Sequence, residues 1–112
     1  MVWKLAAAIA VLSLGSSHAQ AAGDYPTAAV ADYVYACMKS NGETREALER
    51  CSCSIDVVAS IVPYDDYVAA ETFRSMAQMS GEAAGLFRES QPAKAAGAEL
   101  KRAQAEAEIR CF

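Results

Sequence analysis

Four cysteines carry most of the chemistry in this 112-residue sequence: Cys37, Cys51, Cys53 and Cys111. Two of them form the tight pair Cys51-Ser52-Cys53. On a helix, residues two apart point about 200° away from each other, so a bond within the pair would need the turn to unwind. Each must therefore face a different neighbour, which leaves two pairings. Cys37 and Cys51 fall on the apolar stripes of two helices predicted on either side of Asn41-Gly42, at similar heights in that hairpin. The favoured pairing is Cys37–Cys51 with Cys53–Cys111, the second bond tying the C-terminus to the outer side of the second helix. The exchanged pairing, Cys37–Cys53 with Cys51–Cys111, is the alternative. An even cysteine set in a small exported chain reads first as disulfides.

A different chemistry is soft-metal binding. Cys51 and Cys53, with Met38, Met76 and Met79, would supply thiolates and thioethers for a Cu(I) carrier. Those methionines, however, share faces with Val68 and Phe73, where methionine usually fills gaps in a core. Thiol–disulfide exchange lacks its Cys-x-x-Cys at a helix start. Asp65, Asp66 and Glu71 do not have the alternating oxygens and obligatory glycine of a calcium loop, and suit the start of a helix better. Ser52, Ser54 and Ser60 have no base in a recognisable arrangement, and there is no glycine-rich phosphate loop. The reading is of a protein that is not an enzyme, with no cofactor and no metal site.

The N-terminus bears on this directly. Met1-Val2-Trp3-Lys4 precedes an apolar run of ten residues, Leu5 to Leu14, and then small residues around Ala19 and Ala21. That order is the pattern of a cleaved signal peptide over residues 1–21, with cleavage after Ala19 or Ala21. The run is short of the roughly 20 residues that span a bilayer. Cleavage would remove the only histidine, His18, and the only tryptophan, Trp3. Without imidazole, Ser-His-Asp and Cys-His catalysis, histidine-ligated zinc and histidine-held haem are all excluded. Residues 22–112 would then form a single helical domain of about 91 residues, with nine basic and fourteen acidic side chains and a net charge of −5. Such a balance disfavours nucleic acid and anionic membrane surfaces, both of which need clustered Lys and Arg.

The elements that position the cysteines all have helical period. Thr27 is the expected N-cap of a first helix over Ala28–Met38, apolar on most of its circumference and so expected to be the hub. Asn41-Gly42 ends it. A second helix runs from about Thr44 to Val62, where Pro63 stops it, with Leu48, Cys51, Ile55, Val58 and Val62 on one stripe. A third opens at Tyr64-Asp65-Asp66 and presents Val68, Ala69, Thr72, Phe73, Met76 and Met79 until Ser80-Gly81. A short helix is expected over Glu82–Glu89 with Leu86 and Phe87, then an interruption at Gln91-Pro92. A final helix over Ala93–Arg110 has the small apolar stripe Ala96, Leu100, Ala103, Ala107 and Cys111. The predicted fold class is all-α: a small disulfide-stapled bundle of four to five short helices after a cleaved signal peptide.

Five tyrosines remain to be placed, and a ring with one polar tip suits either half-buried packing or partner contact. Tyr33 follows the core stripe of the first helix. Tyr35 points about 160° from it by helical rotation, and Tyr67 is expected on the polar side of the third helix beside Arg74. Tyr35 and Tyr67 are the candidate partner-binding residues. In size, acidity and helical cysteine frame the chain resembles the general class of small periplasmic helical proteins, acid-stress chaperones among them. The expected function is that of an exported, non-enzymatic helical protein that binds or stabilises a protein partner in the periplasm or outside the cell. The Cu(I) carrier is one alternative. The other is an acid-responsive chaperone, loosened when its carboxylates are neutralised.

Overall fold

The computed structural model describes residues 23–79, 81, 85–86 and 89–112. The expected signal peptide, its cleavage sites and most of the short helix expected over Glu82–Glu89 lie outside the described residues. Among those described there are four helices and no strand: α1 (Thr27–Asn41), α2 (Arg45–Ile61), α3 (Tyr64–Ala77) and α4 (Gln91–Cys111). The chain is an all-α bundle closed by two disulfides.

Local chemistry sets the helix ends. Thr27 is the first residue of α1 rather than its cap. Pro26, held near φ −58°, takes the cap position, and its carbonyl accepts the Val30 N–H at 3.1 Å. At the other end the Asn41 side chain donates to the Cys37 carbonyl, and Gly42 turns the chain at φ +102°, which favours glycine. The Thr44 hydroxyl accepts the Ala47 N–H at 3.1 Å and starts α2. Pro63 then separates α2 from α3. α3 stops short of the expected Ser80-Gly81 because its last turn tightens: Met79 N–H bonds the Met76 carbonyl, three residues back. α4 begins at Gln91, earlier than the expected Ala93. Ser90 caps it by accepting the Ala93 N–H at 3.3 Å, and Pro92 lies in the first turn, where proline has no intrahelical bond to lose.

The hub is α2, not α1. Cys51, Ile55 and Val58 on α2 are almost completely buried, whereas α1 buries no residue fully. α2 lies between α1 and α4, so one continuous stripe is covered from two sides. α1 packs chiefly on α2, and an apolar circumference cannot be covered by one neighbour. Val30, Tyr33 and Val34 pack against the core, while Ala31 and Tyr35 face outward. Ala47 takes the place on the α2 stripe expected for Leu48, which is 37% exposed. α4 brings Leu100, Ala103 and Ala107 into the core, and the small alanines let it approach α2 closely.

α3 is rotated from its expected orientation. Its buried residues are Tyr67 and Ala70, while Val68 is 41% exposed and Met79, just past its end, is 64% exposed. The Tyr67 ring packs 5.1 Å from Tyr25, which in turn lies 5.0 Å from Tyr64. Tyrosine rings bury far more area than valine or alanine, so this cluster sets the roll of α3.

Candidate contact surfaces

Both disulfides have the pairing favoured from the helix faces: Cys37–Cys51 and Cys53–Cys111, each with Cα atoms 5.8 Å apart. Cys51 turns inward to α1, and Cys53, two residues on, turns to α4. With all four sulfurs bonded, no free cysteine remains. The Cu(I) alternative therefore has no thiolate in this form. Among the described residues, no group of three or more His, Cys, Asp or Glu side chains converges as metal ligands would.

Several hydroxyl groups are engaged structurally. Ser54, the one buried polar side chain among the described residues, shares a 2.9 Å hydrogen bond with the Tyr33 hydroxyl. Ser60 donates to the Val57 carbonyl at 2.6 Å. Tyr25 donates to the Val62 carbonyl at 2.8 Å, satisfying the end of α2. Burial raises the ionisation of Tyr25 far above the ordinary tyrosine range. Burial, reinforced by the nearby Glu71 carboxylate, pushes Tyr67 up to about 12. Both rings are neutral at any physiological pH.

The two candidate contact tyrosines have different environments. Tyr35 is 63% exposed on the outer strip of α1, with the Lys39 ammonium 4.9 Å from its ring centre. Tyr67 is only 8% exposed, which corrects the expectation that it lies on an outward polar side. Its physical reason is the aromatic cluster at the start of α3, which draws the ring inward.

Tyr67 nonetheless forms part of a trough between α1 and α3, with a volume of about 420 Å³. Val68, Met76 and Met79 give it apolar walls, and Asp32 of α1 and Glu71 of α3 stand at its sides. Asp32 and Tyr35 are three residues apart on α1 and so adjoin on its surface. A second trough, of about 610 Å³, lies between α3 and α4. Ala70, Phe73, Ala77 and Leu100 are among its apolar lining, and Arg74, Lys94 and Lys101 also line it.

Sequence reasoning missed both troughs. One signal was available on α4, where Lys94, Gly97, Ala98, Lys101 and Gln104 recur at helical spacing beside the buried alanine stripe. The α1–α3 trough had no such signal, because it depends on the roll of α3. Comparison with protein-family models, with curated proteins and with solved structures finds no match. Two disulfides, and no helix among the described residues long and apolar enough to cross a membrane, are compatible with an exported protein.

Proposed function

We propose that the mature chain is an exported, non-enzymatic binding domain that holds a protein partner in the periplasm or outside the cell. The observation that carries this reading is the open, acid-sided trough between α1 and α3, adjoining the exposed Tyr35. Apolar walls beside Asp32 and Glu71 fit a partner segment that offers apolar side chains flanked by Lys or Arg. Electrostatic complementarity of this kind favours encounter and register. Tyrosine is well suited to such contact, because its large ring is ordered at low entropic cost. The disulfides support the export half of the proposal, since such bonds persist in oxidising compartments.

The acid-responsive alternative has less support. Among the described residues no carboxylate is buried, and the ion pairs are exposed helix-surface pairs of the kind that contribute little. Neutralising them leaves the core and the staples in place.

The test is site-specific photo-crosslinking in exporting cells, with the photoreactive residue at position 35 or, as a control, at the exposed Glu108 of α4. Position 35 should give a discrete adduct with one protein, and Asp32→Lys should abolish it. Intact mass of the exported species should show a chain beginning at Gln20 or Ala22. Equal adducts from both positions, insensitivity to Asp32→Lys, or a retained N-terminal leader would overturn the reading.

A further inference from the structure

The α3–α4 trough lies on the opposite side of α3 from the proposed partner surface, since the residues lining the two are about half a turn apart around the helix axis. Its floor is apolar, with Ala70 and Leu100 only 4% and 6% exposed, and Phe73, Ala77 and Ala93 half-buried along its walls. Its volume of about 610 Å³ falls within the roughly 300–1,000 Å³ of sites that hold one small ligand. On a chain with a formal net charge of −4, the described residues lining this one groove include three cations and no carboxylate.

Those cations are available. Arg74 pairs with Glu71, and Lys94 with Glu89 at 3.5 Å, but Arg74, Lys94 and Glu89 are exposed and Glu71 is half-buried, and such surface pairs hold their members weakly. Lys101 has no ion-pair partner among the described residues. Long basic side chains also lay their methylenes along apolar surface while keeping the charge at its edge.

Gly97 is the second observation. Glycine within a helix is unfavourable relative to alanine, and close packing against a neighbour is the usual compensation. Here no such packing exists among the described residues: a Cβ placed on Gly97 would meet no atom of a neighbouring element within 4 Å. The missing side chain opens space, and Gly97 lines the trough.

We propose that the α3–α4 trough binds a single-chain anionic amphiphile, a fatty carboxylate, with its tail along the apolar floor and its head among Arg74, Lys94 and Lys101. The small volume favours one alkyl chain over a partner helix, and the cations select the sign of the head group.

Calorimetric titration of the mature, disulfide-intact domain with dodecanoate, below its micelle concentration and at neutral pH, tests this. One equivalent should bind, and dodecyltrimethylammonium, with the same chain and the opposite charge, should bind at least tenfold more weakly. Lys101→Glu should weaken dodecanoate at least fivefold. Gly97→Leu should block the trough while leaving the helical circular dichroism unchanged. Amide chemical-shift changes on dodecanoate addition should centre on α3 and α4. No binding at millimolar dodecanoate, equal binding of both amphiphiles, or binding unaffected by both substitutions would overturn the proposal. Preferential binding of an acidic peptide in this trough would overturn it as well. None of these outcomes depends on the partner surface at Tyr35.

Discussion

α1, α2 and α4 form a frame joined covalently at two points, whereas neither disulfide reaches α3, which packs against α4 and the Tyr25 ring. The two regions bury their contacts differently. Within the frame, Cys51, Ile55, Val58, Ala103 and Ala107 interlock with 0–1% exposure, so helix axes approach closely. α3 attaches through Ala70 and the larger rings of Tyr64 and Tyr67 against Tyr25, and both of its flanks stay open. The staples thus secure the part that fixes the shape, and the candidate recognition surfaces flank the part without one. Segments with fewer buried contacts open at lower free energy than the core, so α3 is expected to open first.

The largest effect should come from cutting the frame. In the loop-entropy account, a bond spanning 58 residues stabilises by about 4 kcal/mol, and one spanning 14 by about 3 kcal/mol. Replacing Cys53 and Cys111 together by alanine should therefore cost more than replacing Cys37 and Cys51. Urea unfolding of the two double variants measures the difference. The Cys53/Cys111 variant should also lose amide protection in the C-terminal half of α4 and keep it in the α1–α2 hairpin. If either pair could be removed for less than about 1 kcal/mol, the covalent frame would not be what distinguishes these helices from α3.

Next in size is the attachment of α3. Truncating a buried aromatic ring usually costs about 3–5 kcal/mol, and Tyr67→Ala should fall near the lower end because the start of α3 has Tyr64 beside it. Val68→Ala, one residue on but 41% exposed, should change stability by no more than about 0.5 kcal/mol. Thermal unfolding of the pair checks the roll of α3. Similar losses at both positions would mean that the buried face lies between them, closer to the orientation expected from periodicity.

That disagreement marks the limit of what the sequence discloses here. The four described helices were legible, because caps and stops are local: Thr44 before α2, Pro63 after it, Asn41-Gly42 after α1. The disulfide pairing was legible because Cys51 and Cys53 must face opposite ways on one helix, which reduces pairing to a question of faces. The start of α4 was misplaced because Pro92 looked like an interruption, although a helix accepts proline in its first turn. The hub was misassigned because apolar residues around all of α1 indicate what can be buried, not how many neighbours exist to bury it. The roll of α3 was illegible for a similar reason. Periodicity weighs Val68, Thr72 and Met76 as a stripe, but Tyr67 outweighs them through contacts with Tyr25, 42 positions earlier in the numbering of the chain. Long-range aromatic packing has no local signature, and the α1–α3 trough inherits that obscurity.

The smallest effect is absent at neutral pH and separates the two regions on alkaline titration. Burial raises the ionisation of Tyr67 to about 12, and raises Tyr25 as well, from an ordinary value of 10.0. The unfolded chain therefore releases these protons before the folded one does. Stability from both groups is fully present below about pH 10 and is lost as pH rises through the folded values. Because Tyr25 and Tyr67 join α3 to the end of α2, the loss should fall on α3 first, while the disulfide-tied frame stays helical. Tyrosinate absorbance followed alongside circular dichroism should show Tyr25 and Tyr67 ionising together with a partial loss of helix, and Tyr67→Phe should remove part of that absorbance step. Tyr25 and Tyr67 ionising near pH 10, with helix content constant, would mean that the aromatic cluster is open to solvent and that α3 has some other hold on the frame.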